Sequence, residues 1–265
     1  MTAHRVSFVL AATAHGPMIV NRFDQRVIDG QGIGVGLQLL ETGTFDPDQC
    51  NLGVELLAQR RVHFGDGVVA IDVGANIGAF SITWGRVMRD WGAVLALEPQ
   101  LPLFYALAGN VTLNNLHTTV RPMLAALGAS NGFIEVPMLD YDKPASYGSL
   151  ELRPWEGAEP IGQPVDYKTT ERVPLLTLDS LDLERVDLLK IDVERMELDV
   201  LIGARETITR CRPIILVECI KVTGDELVVA LREFGYRDLW HVGLDILAIH
   251  PDDPTRNIMS SIPPI

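Results

Sequence analysis

The chain has 265 residues, of which 47% are hydrophobic, and it carries a formal net charge of −13. This length allows one large core, either alone or with a small appended unit. The acidic balance, without a run of lysine or arginine, argues against a protein that grips duplex nucleic acid through a basic face. The three cysteines form no C-x-x-C pair, which favours reduced thiols in a cytoplasmic protein.

The first 65 residues are predicted to form a small N-terminal cap. Residues 6–14 and 17–20 have the pattern of two short strands joined by a turn, and residues 29–36, DGQGIGVG, are predicted as a loop. This glycine-rich stretch has no buried strand before it and no Gly-Lys-Ser/Thr after it, so it is not a phosphate loop. A helix follows, with Asp46 as its N-cap and Pro47 as its first residue.

The segment from Arg5 to residue 14 has a faint likeness to a secretory signal peptide. Its positive region is a single arginine, and its apolar run continues directly into the predicted hairpin. No apolar segment approaches the roughly 18 residues that a membrane span needs. We therefore expect neither secretion nor a membrane partner.

From residue 68 onward, strand-like and helix-like segments alternate, which is typical of an α/β domain. We place this domain at residues 66–250 and a loosely held, proline-rich tail at 251–265. The predicted strands are 68–73, 94–98, about 120–127, 133–136, 186–193, 213–218, about 236–240 and 245–249. The predicted helices include one with a core stripe at Phe80, Trp84, Val87, Met88 and Trp91, one at 101–114, one that buries Leu198, Leu201, Ile202 and Ile208, and one behind a capping box at 223–226.

Residues 139–172 interrupt this alternation. They combine prolines and glycines with many polar residues, and they contain four aromatic side chains: Tyr141, Tyr147, Trp155 and Tyr167. A loop of this length inside a compact domain is usually either functional or disordered. The aromatic content favours a lid or a wall for a substrate.

The segment 68–78, VVAIDVGANIG, carries the clearest functional signal. A buried apolar strand leads into Asp72, and the chain then turns on Gly74 and Gly78 before a helix begins. In open α/β sheets, ligands bind outside the carboxyl ends of the strands. A G-x-G-x-x-G turn would cradle a pyrophosphate, whereas an acid beside this sparser turn suits a cationic ligand without phosphate. S-adenosylmethionine, with its sulfonium and ammonium groups, is such a ligand.

Carboxylates stand at the ends of four predicted strands: Asp72, Glu98, Asp192 with Glu194, and Glu218. Because the carboxyl ends of parallel strands share one edge of a sheet, we expect these acids to converge on one crevice. Glu98 lies 24 positions beyond Gly74, where an acid accepts hydrogen bonds from ribose hydroxyls. Enzymes that use NAD have the same device, so Glu98 alone does not choose the cofactor.

These segments together resemble the FkbM-like, S-adenosylmethionine-dependent methyltransferases over about residues 16 to 241. The matching segments are DVGANIG at 72–78, EP at 98–99, LDSL at 178–181, KIDVE at 190–194, VLIGA at 200–204 and VE at 217–218, with VNRFD at 20–24 and YG at 147–148 similar too. The resemblance implies a class I, Rossmann-like methyltransferase fold, in which a mostly parallel seven-stranded sheet has helices on both faces and a small N-terminal cap. It also implies methyl transfer to oxygen on sugars, polyketides or related small molecules.

The glycine turn and its neighbours are the expected site for S-adenosylmethionine and for S-adenosylhomocysteine, its product. The residues expected at the methionine end are Asp72, Gly74, Ala75, Asn76 and Gly78. Glu98 is expected to hold the ribose, and Leu127 to border the adenine. The expected partner is a small-molecule or glycoside hydroxyl.

A hydroxyl acceptor loses a proton when it is methylated, so a general base helps. The candidates for this catalytic role are Asp192, Glu194 and His241. Asp192 and Glu218 could instead hold a divalent metal through their oxygens, but they lack a spaced third ligand, and no metal is predicted. Lys190 is expected to pair with one of these acids, because an unpaired buried ammonium is costly.

Arg195 departs from the pattern of the family, which usually has glycine after the Asp-x-Glu. Glycine suits a tight turn from strand to helix, where φ is positive. Arginine at this position is expected to strain the turn or to place a cation at the mouth of the crevice. It could steer an anionic substrate there, it could mark a weakened enzyme, or it could simply be exposed.

Two other functions fit parts of the sequence. A non-catalytic binding protein could retain the fold, and Arg195 is the feature that favours it. An NAD-dependent oxidoreductase would share the Glu98 device, and it would bind NAD in preference to S-adenosylmethionine. The sequence identifies neither the acceptor nor the oligomeric state, and it is compatible with a homodimer.

Overall fold

A computed structural model describes residues 6–28, 30–222 and 224–265. In chain order its strands are β1 (Phe8–Thr13), β2 (Gly16–Asn21), β3 (Arg26–Ile28), β4 (Gln31–Ile33), β5 (Val68–Val73), β6 (Gly92–Leu97), β7 (Val120–Met123), β8 (Ala126–Leu127), β9 (Gly132–Pro137), β10 (Thr170–Leu176), β11 (Leu188–Ile191), β12 (Ile214–Glu218), β13 (Asp238–Val242) and β14 (Asp245–Ile249). Its α-helices are α1 (Val35–Thr42), α2 (Pro47–Phe64), α3 (Ala79–Met88), α4 (Leu101–Leu113), α5 (Glu197–Gly203), α6 (Arg205–Cys211) and α7 (Gly224–Glu233).

The central sheet has seven strands in the order β7-β6-β5-β11-β12-β14-β13. The strands from β7 to β12 run parallel, whereas β14 is antiparallel to both of its neighbours. The chain fills one side of β5 with β6 and β7 and then crosses to the other side for β11 and β12. This reversal beside β5 leaves a crevice at the carboxyl ends of the parallel strands. The predicted mostly parallel α/β sheet is confirmed.

Helices cover both faces of this sheet. Val68 and Ala70 of β5 pack in the core on the side of α2 and α3, whereas Ile71 and Val73 pack on the side of α5, α6 and α7. This alternation follows from the two-residue period of a strand. Because both faces are buried, the sequence of β5 is a nearly continuous apolar run.

The N-terminal cap contains two hairpins, β1–β2 and β3–β4, followed by α1 and α2. The whole stretch 29–36 was predicted as a loop. Instead, residues 31–33 form β4 and α1 begins at Val35, and Asp29 lies outside the described residues. Its glycines allow close packing, because a Cβ on Gly36 would lie 2.1 Å from the carbonyl oxygen of Asn21. Asp46 is the N-cap residue of α2 and Pro47 its first residue, as predicted, but the side chain of Asp46 makes no capping hydrogen bond.

The predicted strand at 120–127 is divided into β7 and β8, which belong to different sheets. The predicted strand at 133–136 is present as β9, and it pairs with β10 in a separate three-stranded sheet of order β8-β10-β9. The interrupted region 139–172 contains a short 3-10 helix at Tyr147–Ser149 and ends inside β10. This small sheet places the start of the loop beside the crevice.

Three further predictions need correction. The helix predicted behind β11 is two helices that meet at Ala204, and Ile202, predicted to be buried, is 52% exposed. The exposed Val87 likewise does not belong to the core stripe of α3. The tail is held more firmly than predicted, since it forms a 3-10 helix at Pro254–Met259 with Met259 buried.

The capping box predicted at 223–226 includes Thr223, which lies outside the described residues, and α7 begins at Gly224. Within the described part of the chain, none of the helices has the length and apolar character that crossing a membrane requires.

Candidate active site

A cavity of about 720 Å³ opens at the carboxyl edge of the sheet, beside β5. The ends of β5, β6, β11 and β12 contribute to its lining, together with β8. Helix α1 of the cap and residues 146–152 of the long loop form its outer walls. This volume is within the range of small-molecule and cofactor sites.

The glycine turn after β5 is held in place by its backbone. The N–H groups of Gly74 and Ala75 both donate to the carbonyl oxygen of Leu97, at 3.0 and 2.9 Å. Gly74 has φ 79°, and a Cβ there would lie 1.8 Å from the carbonyl oxygen of Asp192. Glycine is therefore required at position 74 both by its backbone angle and by the close approach of β11.

Asn76 and Gly78 complete the turn and differ in their roles. Asn76 has φ 52° and lines the cavity, and its side-chain oxygen accepts a hydrogen bond from the N–H of Ile77 at 2.8 Å. Gly78 is not among the described residues that line the cavity. Its φ is 92°, and a Cβ there would lie 2.6 Å from Cδ1 of Leu107. Gly78 thus lets α3 start close to α4, which differs from the ligand contact predicted for it.

Asp72 lies under the turn and is almost fully buried. One of its oxygens, Oδ2, accepts a hydrogen bond from the Ser81 hydroxyl at 2.5 Å. The other, Oδ1, lies 3.8 Å from Nζ of Lys190 and has no hydrogen-bond partner among the described residues. Burial raises the pKa of Asp72, and the charge of Lys190 opposes that change. Asp72 also lines the cavity, as predicted.

Glu98, at the end of β6, is buried and fixed by two backbone N–H groups. Its Oε2 accepts from Asn76 and its Oε1 accepts from Gln100, both at 2.8 Å. Burial raises the pKa of Glu98 to about 7, although both hydrogen bonds act in the opposite direction. Each carboxylate oxygen has a second lone pair, so Glu98 can still accept hydrogen bonds from a ribose.

The apolar side of the cavity fits the position predicted for an adenine. Leu127 is 1% exposed and lines the cavity with Ala125 and Ala126. Phe80, predicted only as a core residue, also lines the cavity, and Nζ of Lys190 lies 4.8 Å from the centre of its ring. Sequence reasoning missed this second role because the core stripe of α3 runs up to the turn itself.

Three carboxylates meet at the other end of the cavity. Asp192, Glu194 and Glu218 each place an oxygen within 4.8 Å of the other two. Burial raises the pKa of Glu194 and of Glu218, and Asp192 adds to both shifts by like-charge repulsion. Glu194, with its pKa raised to about 7, can accept a proton close to neutral pH.

Two lysines offset the charge of these acids. Nζ of Lys190 donates to Asp192 at 3.1 Å, and Lys221 forms an ion pair with Glu194. Carboxylate oxygens are the ligands that a divalent cation prefers. The sequence analysis named Asp192 and Glu218 as possible ligands, and the structure adds Glu194 as a possible third. A cation would have to compete with two ammonium groups already in place, and we assign no metal to these residues.

His241 is the candidate base that the structure does not bring to the cavity. It is exposed on β13 and is not among the described residues that line the cavity. The reason is the strand order, because β14 lies next to β12 and β13 is at the outer edge of the sheet. The sequence placed β13 beside the crevice, which was wrong.

Asp46 lines the cavity instead, close to Asp192 and Lys190, whose charges both act on its pKa. Burial is the largest effect and raises this pKa. Asp46 was predicted only as a helix cap, and no sequence pattern connects it with residues 146 positions away. The acceptor end of the cavity thus contains an acid from the cap.

The first part of the long loop is held by buried polar contacts. Gln100 donates to the carbonyl oxygen of Tyr147 at 3.0 Å and accepts from the Tyr141 hydroxyl at 2.8 Å. Asp24, which is 2% exposed, accepts from the N–H of Tyr147 at 3.1 Å. These contacts place residues 146–152 over the cavity, as expected for a wall.

Arg195 has φ 80°, so the positive φ expected at this position is confirmed. Its side chain is not among the described residues that line the cavity. It turns towards the long loop, where its guanidinium lies 4.1 Å from the centre of the Trp155 ring. The prediction that Arg195 places a cation at the mouth of the crevice is therefore wrong.

The strand order, with its reversal beside β5, and the acid-ended strands around one cavity define a class I methyltransferase fold. Residues 72–237 match the domain described as the methyltransferase FkbM domain. The chain belongs to the FkbM methyltransferase family.

One curated relative is the methyltransferase sdnD of Sordaria araneosa, which is 29% identical over 160 residues, or 51% of this chain and 60% of the relative. The chain thus spans about three fifths of the length of that relative. Among solved structures, the FkbM methyltransferase of Methylobacillus flagellatus KT aligns with a TM-score of 0.47 and 17% identity, covering 72% of this chain and 47% of that one. The O-methyltransferase of Bacillus cereus in complex with SAH aligns with a TM-score of 0.43 and 15% identity, covering 80% and 86%.

Proposed function

We propose that the protein transfers a methyl group from S-adenosylmethionine to a hydroxyl of a small molecule or glycoside. The observation that carries this proposal is the continuity of one cavity. Asp72, Glu98 and the glycine turn line its donor end, and Asp192, Glu194 and Glu218 line its acceptor end. A site of this form can hold a donor and an acceptor in line, and such positioning supplies much of the rate.

The donor end suits S-adenosylmethionine by charge and by hydrogen bonding. Glu98 has free lone pairs for the two ribose hydroxyls, and Leu127 with its neighbours provides an apolar surface for the adenine. Asp72 has an oxygen without a hydrogen-bond partner among the described residues, which suits an ammonium donor. When bound, S-adenosylmethionine supplies an electrophilic methyl group on a positively charged sulfur.

The acceptor end suits the removal of a proton from a hydroxyl. As the acceptor oxygen bonded to the methyl carbon, the methyl–sulfur bond would break and S-adenosylhomocysteine would leave. The hydroxyl proton would pass to a carboxylate, for which we propose Asp192 or Glu194. Lys190 orients Asp192, since it donates to that carboxylate at 3.1 Å. Lys221 pairs with Glu194 in the same way, and its charge opposes the rise that burial causes in the pKa of Glu194. We do not propose His241 as the base, because its strand lies at the outer edge of the sheet.

Calorimetry with purified protein tests the donor half of this proposal. S-adenosylhomocysteine is expected to bind at one site per chain, and NAD is expected not to bind. No detectable binding of S-adenosylhomocysteine, or tighter binding of NAD, would contradict the proposal.

Transfer of an isotope-labelled methyl group tests the acceptor half. The labelled donor is offered with pairs of acceptors that differ only by one hydroxyl, and the label is expected in the hydroxylated member of a pair. Label on nitrogen or carbon of the acceptor would reject O-methylation while leaving methyl transfer in place. Binding of the donor without turnover on any acceptor would favour a non-catalytic binding protein.

A further inference from the structure

Arg195 occupies a backbone conformation that disfavours it. Its φ is 80°, and the preceding Glu194 also has a positive φ, of 55°. L-residues with a side chain are strained in this region, whereas glycine is not. Contacts made by the arginine side chain must therefore offset the strain.

The guanidinium of Arg195 makes three contacts with two other segments. Its Nη1 donates to the carbonyl oxygen of Lys221 at 3.0 Å. Its Nε lies 3.4 Å from Oε2 of Glu151, and its plane packs on the ring of Trp155. Glu151 and Trp155 both belong to the long loop, so Arg195 joins the end of β11 to that loop.

Lys221 connects the same loop to the acceptor end of the cavity. Its ammonium lies 3.6 Å from Oε1 of Glu151 and donates to the carbonyl oxygen of Ser149 at 3.0 Å. It also pairs with Glu194, one of the two candidate bases. Glu151 is 5% exposed, so it is a buried carboxylate between two cations. Ion pairs of this kind are costly to break, because one partner is left charged and buried.

Ser149, Leu150 and Leu152 form part of the wall of the cavity, and Glu151 lies in the same short stretch of the loop. We propose that Arg195 is a positioning residue: together with Lys221 it clamps the loop at Glu151 and thereby fixes the wall against which the acceptor binds. The identification of this wall with an acceptor site depends on the proposed function. In this role the arginine does not contact the substrate.

Hydrogen exchange on the 265-residue chain, with and without S-adenosylhomocysteine, tests the clamp. In the Arg195→Gly variant, the amides of residues 146–155 are expected to exchange about tenfold faster or more. The midpoint of thermal unfolding is expected to change little, because relief of the positive φ by glycine opposes the loss of the ion pair with Glu151, which keeps Lys221 as its second cation. This combination separates a clamp from a general structural role, which would lower the midpoint and accelerate exchange throughout.

Three further variants sharpen the test. Arg195→Lys keeps the charge but loses the planar contact with Trp155, so it is expected to restore only part of the protection. Glu151→Gln is expected to accelerate exchange as Arg195→Gly does. Arg153→Ala removes an exposed ion pair of the same loop with Asp199 and is the control, with a change below about twofold.

The donor end serves as an internal reference. The affinity for S-adenosylhomocysteine is expected to be unchanged in Arg195→Gly, because the side-chain contacts of the arginine include none of the residues assigned to the donor end. Unchanged loop exchange in Arg195→Gly would overturn the clamp. If the wild-type protein fails to bind S-adenosylhomocysteine, the proposed function fails, and the loop exchange still decides whether the clamp exists.

Discussion

The two ends of the cavity are built in different ways. The donor end is formed mainly by the 27 residues from Asp72 to Glu98, together with Leu127, and Glu98 is fixed by hydrogen bonds from two backbone N–H groups. The acceptor end brings together acids from the cap and from β11 and β12, and it is held by long side chains in ion pairs. The comparison teaches that the donor end is rigid and readable from a local pattern, whereas the acceptor end depends on contacts between distant segments.

The largest expected effect is at the donor end. Gly74→Ala places a Cβ 1.8 Å from the carbonyl oxygen of Asp192, in a residue with φ 79°. Adding the cost of the backbone conformation to that of the clash, we expect a loss of about 3 to 4 kcal/mol in the free energy of unfolding. Urea denaturation followed by circular dichroism measures it.

Gly132→Ala is the matched control, because a Cβ at Gly132 meets nothing within 4 Å. It is expected to unfold like the wild type. A Gly74→Ala protein of wild-type stability would show that the donor end is less rigid than the structure indicates.

The next largest effect is expected at Lys190, which lies between the two ends. Lys190→Met leaves the buried Asp72 without its cation, and it removes the donor from the more exposed Asp192. Loss of one partner of a buried ion pair costs about 3 kcal/mol, at the lower end of the usual range because Asp192 is partly exposed. The same denaturation experiment measures the change.

The comparison variant is Lys143→Met, which removes an exposed ion pair with Asp140. Its expected cost is below about 1 kcal/mol. Equal effects of the two variants would mean that Lys190 does not stabilise the junction between the donor and acceptor ends.

A smaller effect is expected from pH. With the pKa of Glu98 raised to about 7, this carboxyl is mostly protonated at pH 6 and mostly ionised at pH 8. The ionised form accepts hydrogen bonds from ribose hydroxyls more strongly, so S-adenosylhomocysteine is expected to bind about fivefold to tenfold more tightly at pH 8 than at pH 6. Calorimetry at matched ionic strength measures the two affinities.

Glu98→Gln cannot ionise, so it is expected to bind more weakly at pH 8 and to lose most of the dependence on pH. A wild-type affinity that is the same at both pH values would separate Glu98 from ribose recognition. If Glu98→Gln kept the full dependence of affinity on pH, the effect would be assigned to the carboxyls of the acceptor end.

The smallest effect is expected at His241. His241→Ala changes an exposed side chain of the edge strand. The affinity for S-adenosylhomocysteine and the turnover are expected to stay within about twofold of wild type, and the free energy of unfolding within about 0.5 kcal/mol. A loss of turnover with intact binding would return His241 to the list of candidate bases.

The difference between the two ends explains what could be predicted from the sequence. The turn at 72–78 and the acid at Glu98 are close in sequence, and their chemistry follows from a strand, a turn and the adjacent strand. The convergence of Asp192, Glu194 and Glu218 followed from the shared edge of parallel strands. Local pattern and parallel pairing were sufficient for these residues.

The remaining residues depend on tertiary structure. Asp46 reaches the cavity because the cap folds over it, and Lys221 and Glu151 meet although they are 70 positions apart. His241 was misplaced because the order of the last two strands is set by packing at the edge of the sheet and not by their order in the chain. The side chain of Arg195 contacts the long loop, and the position of that loop could not be predicted from its composition.

A crystal structure of the protein with S-adenosylhomocysteine would show whether one ligand divides the cavity as described. We expect the ribose hydroxyls within hydrogen-bond distance of Glu98, the adenine against Leu127, and the sulfur facing open space lined by Asp192, Glu194 and Glu218. A ligand bound in the opposite direction, with its adenine among these three carboxylates, would contradict the assignment of the donor and acceptor ends.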